Sequence, residues 1–301
     1  MLRLPWPRRA DPADDTPRAL EIDVATTLAS ASGPMRLQVA LRLEPGQWAA
    51  LLGPSGAGKT TLLRLIAGLA RPESGRVAWG DEIWHDGTGR PWPTRRRRVG
   101  FVFQDHALFL QMTARRNVEF ALRPGVPKSR AGDWLDWAGL AALAERRPEQ
   151  LSGGQQQRLA LARTLASQPR LLLLDEPLSA LDAALRHELQ DGLLRLRRGD
   201  IPGHGRPAAL LVTHEPAEAL RLAERLLRLE QGRIVQDLRP APLAASDRLL
   251  VPGRVLGRGG DGLLEVEAAG RVCRLGDDGD WRAGDLVLLS GGGLRVERAA
   301  S

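Results

Sequence analysis

The run Gly53-Pro54-Ser55-Gly56-Ala57-Gly58-Lys59-Thr60-Thr61 fills every fixed position of the pattern G-x-x-x-x-G-K-[ST]. That pattern works only between a strand and a helix, and both flanks comply. Ala49-Ala50-Leu51-Leu52 is a short apolar run ending at the first glycine, and Leu62 to Leu69 continues with helical apolar spacing and a closing Gly68. The chain must therefore supply an α/β layer with this loop at a strand end.

Glycine at 53, 56 and 58 lets the backbone take conformations denied to residues with a Cβ, so that successive N–H groups converge on a phosphate. A helix starting near Lys59 adds its positive end. Lys59 then reaches the β- and γ-phosphates of a nucleoside triphosphate, and the Thr60 hydroxyl is placed to ligate Mg²⁺. The alternative is a chance glycine-rich turn, and the rest of the chain decides between them.

Further along, Leu171-Leu172-Leu173-Leu174 reads as a strand buried on both faces that ends in two carboxylates, Asp175 and Glu176. At the C-terminal edge of a parallel sheet, where ligands bind, Asp175 would hold Mg²⁺ through its water shell. Glu176 would polarise the water that attacks the γ-phosphate. A strand simply emerging into solvent would look the same in isolation. Ala209 to Val212 is a second run of this kind, leading through Thr213 to His214, at the equivalent strand end. A lone histidine is usually structural, whereas this one is positioned to face the γ-phosphate. Val99 to Val102 with Phe103 forms a third β-forming run, ending in Gln104, which either caps the strand or turns its amide oxygen towards Mg²⁺ or the attacking water. Ser152-Gly153-Gly154-Gln155 precedes a helix-forming stretch, giving an N-cap hydroxyl and exposed N–H groups, a second anion-binding helix start. Leu178 to Asp182 is a turn into another helix.

Composition narrows the class. At 301 residues the chain suggests two domains, and with 43% hydrophobic residues it can bury a real core. No apolar run approaches the roughly 18 residues of a membrane span. The net charge of +7 raises the question of nucleic acid or an anionic membrane surface, but acidic residues are interspersed throughout and the dense run Arg95 to Arg98 reads as a solvated loop. The single cysteine, Cys273, excludes an internal disulfide and reads as inert packing.

The expected organisation is a disordered extension over 1–18 without a signal peptide, a nucleotide-binding unit over 19–237, a linker over 238–247 and a small β-barrel over 248–301. Alternating residues Leu20, Ile22, Val24 and Leu37, Val39, Leu41, Leu43 predict a strand pair before the loop. Thr113 to Arg147 predicts helices joined at Pro124-Gly125-Val126-Pro127, with Trp134 and Trp137 as core, inside a helical subdomain over about 105–165.

Laid out in order, Gly53 to Thr61, Gln104, Leu151 to Arg158, Leu171 to Pro177, Ser179 to Asp182 and His214 resemble the nucleotide-binding subunit of an ABC transporter. The Leu-Ser-Gly-Gly-Gln string at 151–155 specifies that family among phosphate-loop ATPases, and the resemblance covers about Leu20 to Leu238. It implies a phosphate-loop ATPase fold with an inserted helical subdomain, ATP and Mg²⁺ as ligands, and a head-to-tail homodimer. Each ATP then lies between the Gly53 loop of one cassette and Ser152 to Gln155 of the other, with Asp182 also at the nucleotide interface. It further implies membrane permease partners reached through Gln104 and the helical segment, a periplasmic or extracellular solute-binding protein acting indirectly, and a place at the cytoplasmic face of the membrane.

Within the family, Arg98 to Phe109 looks most like molybdate-importer ATPases, with sulfate, iron and polyamine importer cassettes sharing much of it. The all-β (OB-like) tail is similar to the first part of a molybdate-type regulatory region, and with about 50 residues it is expected to hold one repeat without the second. These cassettes usually stack an aromatic ring on adenine, yet Ile22 to Met35 contains no Phe, Trp or Tyr, so an aliphatic contact from Val24 is expected to replace it. Soluble ABC-type ATPases acting on DNA carry long coiled coils between loop and signature, and translation-factor members carry two cassettes. This chain has neither, and no nucleic-acid partner is expected.

Overall fold

The leucine run at 171–174 shows how the sequence builds its central layer. In the computed structural model, which describes residues 18–30, 33–88, 91–201, 204–239, 250–260, 262–268, 271–276, 280–290 and 295–297, this run is strand β7 (Leu171–Asp175). Side chains alternate across a strand. Leu171 and Leu173 enter the core shared with the phosphate-loop helix, and Leu172 and Leu174 enter the core under the helical subdomain. Both faces are covered, so the run is apolar throughout.

The chain opens with β1 (Leu20–Ser30) and β2 (Gly33–Leu43), paired antiparallel with Leu20 opposite Leu43 and Val24 opposite Val39. β3 (Trp48–Leu52) leads into helix α1 (Lys59–Ala67), followed by β4 (Ser74–Trp79), β5 (Glu82–His85) and β6 (Val99–Val102). Helices α2 (Ala114–Ala121), α3 (Arg130–Trp137) and α4 (Gly153–Ala166) form the inserted helical subdomain before β7. Then come α5 (Ala183–Arg198), β8 (Ala208–Val212), α6 (Pro216–Leu222), β9 (Arg225–Glu230) and β10 (Arg233–Leu238).

One sheet has the order β2-β1-β4-β5 and is antiparallel; the central one runs β10-β9-β3-β8-β7-β6. In the latter, β9, β3, β8, β7 and β6 are parallel, so their C-terminal ends share one edge. The third sheet collects β11 (Leu250–Arg258), β12 (Leu264–Ala268), β13 (Arg271–Leu275), β14 (Leu286–Ser290) and β15 (Arg295–Glu297) in the order β13-β12-β11-β14-β15. It is the all-β tail, and among the described residues β13 and β15 are its edges rather than neighbours in a closed barrel. Half-buried Cys273 packs beside its small core of Val255, Leu264, Val266, Leu275 and Val287. Arg228 on β9 donates through Nη1 to Asp285 Oδ1 at 3.0 Å, tying this sheet to the central one. The extension expected over 1–18 lies outside the described residues except for Arg18, as does the linker beyond Arg239.

The arginine run departs from its reading as solvated. A short 3₁₀ turn over Thr94–Arg96 rotates Arg97 inward, where it is only 3% exposed. Its Nη1 donates to Ile66 O at 2.6 Å and to Leu65 O at 3.4 Å near the end of α1, and its Nε donates to Trp92 O at 3.0 Å, while the guanidinium lies over the Trp84 ring. Burial lowers its pKa to about 10, which still leaves it a cation at neutral pH. Trp134 is core as expected, meeting Trp137 edge to face at 5.8 Å.

Candidate functional site

Glycine is obligatory at the mouth of the phosphate loop. Gly53 has φ +147°, and a Cβ there would stand 2.1 Å from Leu229 O. Gly58, at φ +102°, is the N-cap of α1, and its missing Cβ leaves room for the Leu37 and Leu28 side chains. The loop is thus pressed against β9 and the β1–β2 pair, with α1 leaving from it.

A cavity of about 720 Å³ lies over this loop at the C-terminal edge of the central sheet. Ser55, Gly56, Gly58, Lys59, Thr60 and Thr61 line it, and Gln104, Glu176 and His214 close it from β6, β7 and β8. Three connections that are distant in sequence converge here because their strands are parallel neighbours. Gly53 and Pro54 line a smaller adjoining space, with His214 between the two, and Ala57 is buried.

Lys59 is 6% exposed and donates to Gly53 O and Pro54 O, both at 2.8 Å. Burial lowers its pKa, and the carboxylates of Glu176 and Asp175 oppose that shift. Asp175 is 3% exposed, and burial raises its pKa against a hydrogen bond from Thr60. These two groups are hard oxygen donors, a hydroxyl and a carboxylate. Such a sparse protein set suits Mg²⁺, which keeps waters and substrate phosphates as its other ligands.

The most specific feature is the pair at the ends of β7 and β8. His214 Nε2 lies 2.8 Å from Glu176 Oε1. Glu176 sits at φ +50°, a conformation that residues with a Cβ rarely adopt, and its backbone is held on both sides. Its N–H donates to Val212 O at 3.0 Å, and its carbonyl accepts from Gln157 Nε2 at 2.9 Å and Ser179 Oγ at 3.1 Å. Gln157, 2% exposed on α4, also accepts from Ala180 N–H at 3.0 Å. The sequence reading missed Gln157. Its only signal is an amide on the buried side of an otherwise apolar helix face.

Ser152 to Gln155 and Asp182 do not reach this cavity. Ser152 caps α4, accepting from Gln155 N–H at 3.3 Å while Gln155 Oε1 accepts from Ser152 N–H at 2.8 Å. Asp182 caps α5 through Leu185 N–H at 3.0 Å. Nothing lies within 4 Å of where a Cβ on Gly153 would stand. Gly154 differs, since its Cβ position would meet Ala180 O at 3.1 Å.

The expected base contact moves. Val24 is 1% exposed in the core with Leu20 and Ile22, so it does not meet a nucleotide. The same inward face of β1 ends at Leu28, and it is Thr27, Leu28 and Ala29 that line the cavity.

The ABC transporter family model matches residues 37–179. The chain belongs to this family, as one of its ATP-binding cassettes. It is 44% identical over 254 residues to the sulfate/thiosulfate import ATP-binding protein CysA of Rhodopseudomonas palustris, covering 79% of this chain and 68% of that protein. The protein of the same name from Mesorhizobium japonicum is 48% identical over 207 residues, covering 66% of this chain. The chain spans 57% of the length of that relative and 55% of its counterpart in Brucella melitensis. Among solved structures, the dimeric post-hydrolysis state of the ATP-binding cassette MJ0796 bound to ADP and Pi superposes with a TM-score of 0.64 at 30% identity, covering 73% of this chain and 98% of that one.

Proposed function

We propose that this chain is the ATP-hydrolysing subunit of an ABC importer, working as a homodimer on membrane permease subunits at the cytoplasmic face, with a solute-binding protein acting indirectly. The observation that carries the reading is the His214–Glu176 contact of 2.8 Å over the phosphate loop. It supports the reading because a carboxylate oriented by an imidazole beside the phosphate loop has the chemistry to activate water for attack on the γ-phosphate of a nucleotide held there. No helix among the described residues is long and apolar enough to cross a membrane.

In this reading, Lys59 exchanges its two loop carbonyls for β- and γ-phosphate oxygens. Glu176 takes the proton of the attacking water, His214 holds that carboxylate and faces the γ-phosphate, and Gln104 contacts the nucleotide's metal or the water. Asp175 and Thr60 hold Mg²⁺, which when bound neutralises charge developing on the phosphates. Ser152 to Gln155 serve the nucleotide of the opposite cassette. The empty space around the Gly153 Cβ position supports this, since nothing within the chain demands glycine there. We assign the cassette to 19–237, the linker to 238–247 and the β-domain to 248–301.

For the solute, the similarity to sulfate/thiosulfate import cassettes favours the sulfate alternative over molybdate. Reconstituted with its permease and binding protein in vesicles, the complex should show ATPase activity stimulated by sulfate or thiosulfate. Stimulation by molybdate and not by sulfate would reverse the assignment. The base contact supplies a second expectation. With Leu28 and Ala29 rather than a ring at the cavity wall, GTP and ATP should be hydrolysed with kcat/KM values within about fivefold. A strict ATP preference would count against an aliphatic contact.

A further inference from the structure

His214 stands in the connection between β8 and α6, outside both elements, and its side chain is 44% exposed. An exposed imidazole on a short connection has several rotamers and a mobile backbone available to it. Something must hold that turn if the 2.8 Å contact with Glu176 is to persist. Thr213, 3% exposed, is the adjoining residue. Its hydroxyl donates to Glu218 Oε2 at 2.8 Å and accepts from Glu215 N–H at 3.1 Å, closing a ring from the end of β8 to the first turn of α6. On the far side, Glu215 Oε1 accepts from Arg186 Nη1 at 2.7 Å, and Arg186 Nη2 donates to Leu181 O at 3.0 Å, in the loop that follows Glu176.

Glu218 is an expensive choice for this place. It is 5% exposed, and its Oε1 is buried with no hydrogen-bond partner among the described residues. A buried carboxyl with one oxygen unsatisfied is less stable than an apolar side chain of similar volume. Burial drives its pKa up to about 6, with Glu215 and Glu176 adding to the shift and Thr213 and Arg186 opposing it. Stability therefore gives no reason for a glutamate here, while the geometry of the turn does.

We infer that Glu218, through the Thr213 hydroxyl, is a positioning residue that fixes the turn carrying His214 so that its imidazole meets Glu176. Glu218 and Thr213 touch no substrate. They act on the chemistry by keeping His214 and Glu176 in register, which a shift of about 1 Å would break.

This proposal rests on the roles given above to Glu176 and His214. The test is steady-state ATPase of the full chain carrying Thr213→Val, Thr213→Ser, Glu218→Leu, Glu218→Gln or the double variant Thr213→Val/Glu218→Leu, with urea unfolding of each. His214→Ala and Glu176→Gln run alongside. Thr213→Val and Glu218→Leu should lower kcat by between about tenfold and a hundredfold, with KM for ATP within about twofold and the urea midpoint of Glu218→Leu unchanged or raised. Thr213→Ser and Glu218→Gln, which keep the hydroxyl and an acceptor, should stay within about threefold of wild type. The double variant should be no worse than either single one. Turnover within about twofold of wild type in Thr213→Val and Glu218→Leu, while His214→Ala is inactive, would overturn the proposal alone. So would losses that track a lowered urea midpoint. Full turnover in His214→Ala and Glu176→Gln would instead overturn the underlying reading of the site.

Discussion

Glu176→Gln should lower ATP turnover by between about a hundredfold and ten-thousandfold while leaving nucleotide affinity within a few-fold of wild type. The glutamine keeps the volume and can still hydrogen-bond to His214, but it cannot accept a proton from water. Little else should change, because what fixes Glu176 is its backbone: the N–H to Val212 O and the carbonyl shared by Gln157 and Ser179. The strained φ of +50° therefore survives the substitution. With hydrolysis blocked and binding intact, ATP should accumulate the closed dimer. Phosphate release and light scattering after size exclusion check the two halves, and unimpaired hydrolysis would remove Glu176 as the base.

Lys59→Ala should act at an earlier step. An ammonium group making charge-assisted bonds to phosphate contributes about 2–3 kcal/mol, so nucleotide affinity should fall by between about thirtyfold and a hundred-and-fiftyfold. The sign of the pKa shift agrees with this role. Burial disfavours the Lys59 cation, the two neighbouring carboxylates restore it in part, and an arriving polyphosphate restores it further. Titration with a fluorescent nucleotide reads the loss directly. Affinity unchanged in Lys59→Ala would detach the loop from phosphate binding.

The middle of the central sheet was legible because β3, β7 and β8 are buried on both faces, so unbroken apolar runs such as 171–174 and 209–212 mark them. The phosphate loop, Glu176 and His214 were legible for a related reason: each is a polar residue or glycine run directly following such a strand. Other residues left no such mark. Arg97 is one of four successive arginines, and only the 3₁₀ turn before it sends that one inward. Leu28 rather than Val24 reaches the cavity because β1 runs on to Ser30, and its inward-facing alternation carries two pleat repeats past the core position Val24 before it meets the loop. Gln157, Thr213 and Glu218 are ordinary polar residues in sequence, and they matter only because three separate connections meet at one sheet edge. The signature at 152–155 is the reverse case, an unmistakable string that the fold leaves outside its own chain's cavity.

That last separation holds the central claim, that one chain carries half of each site. Specific ATPase activity of the purified chain, measured across a dilution series from about 0.1 to 100 micromolar, tests it most directly. The account predicts that activity per chain rises with concentration and reaches a plateau as dimers form. Activity per chain that stays constant across the series, with light scattering showing monomers throughout, would contradict it.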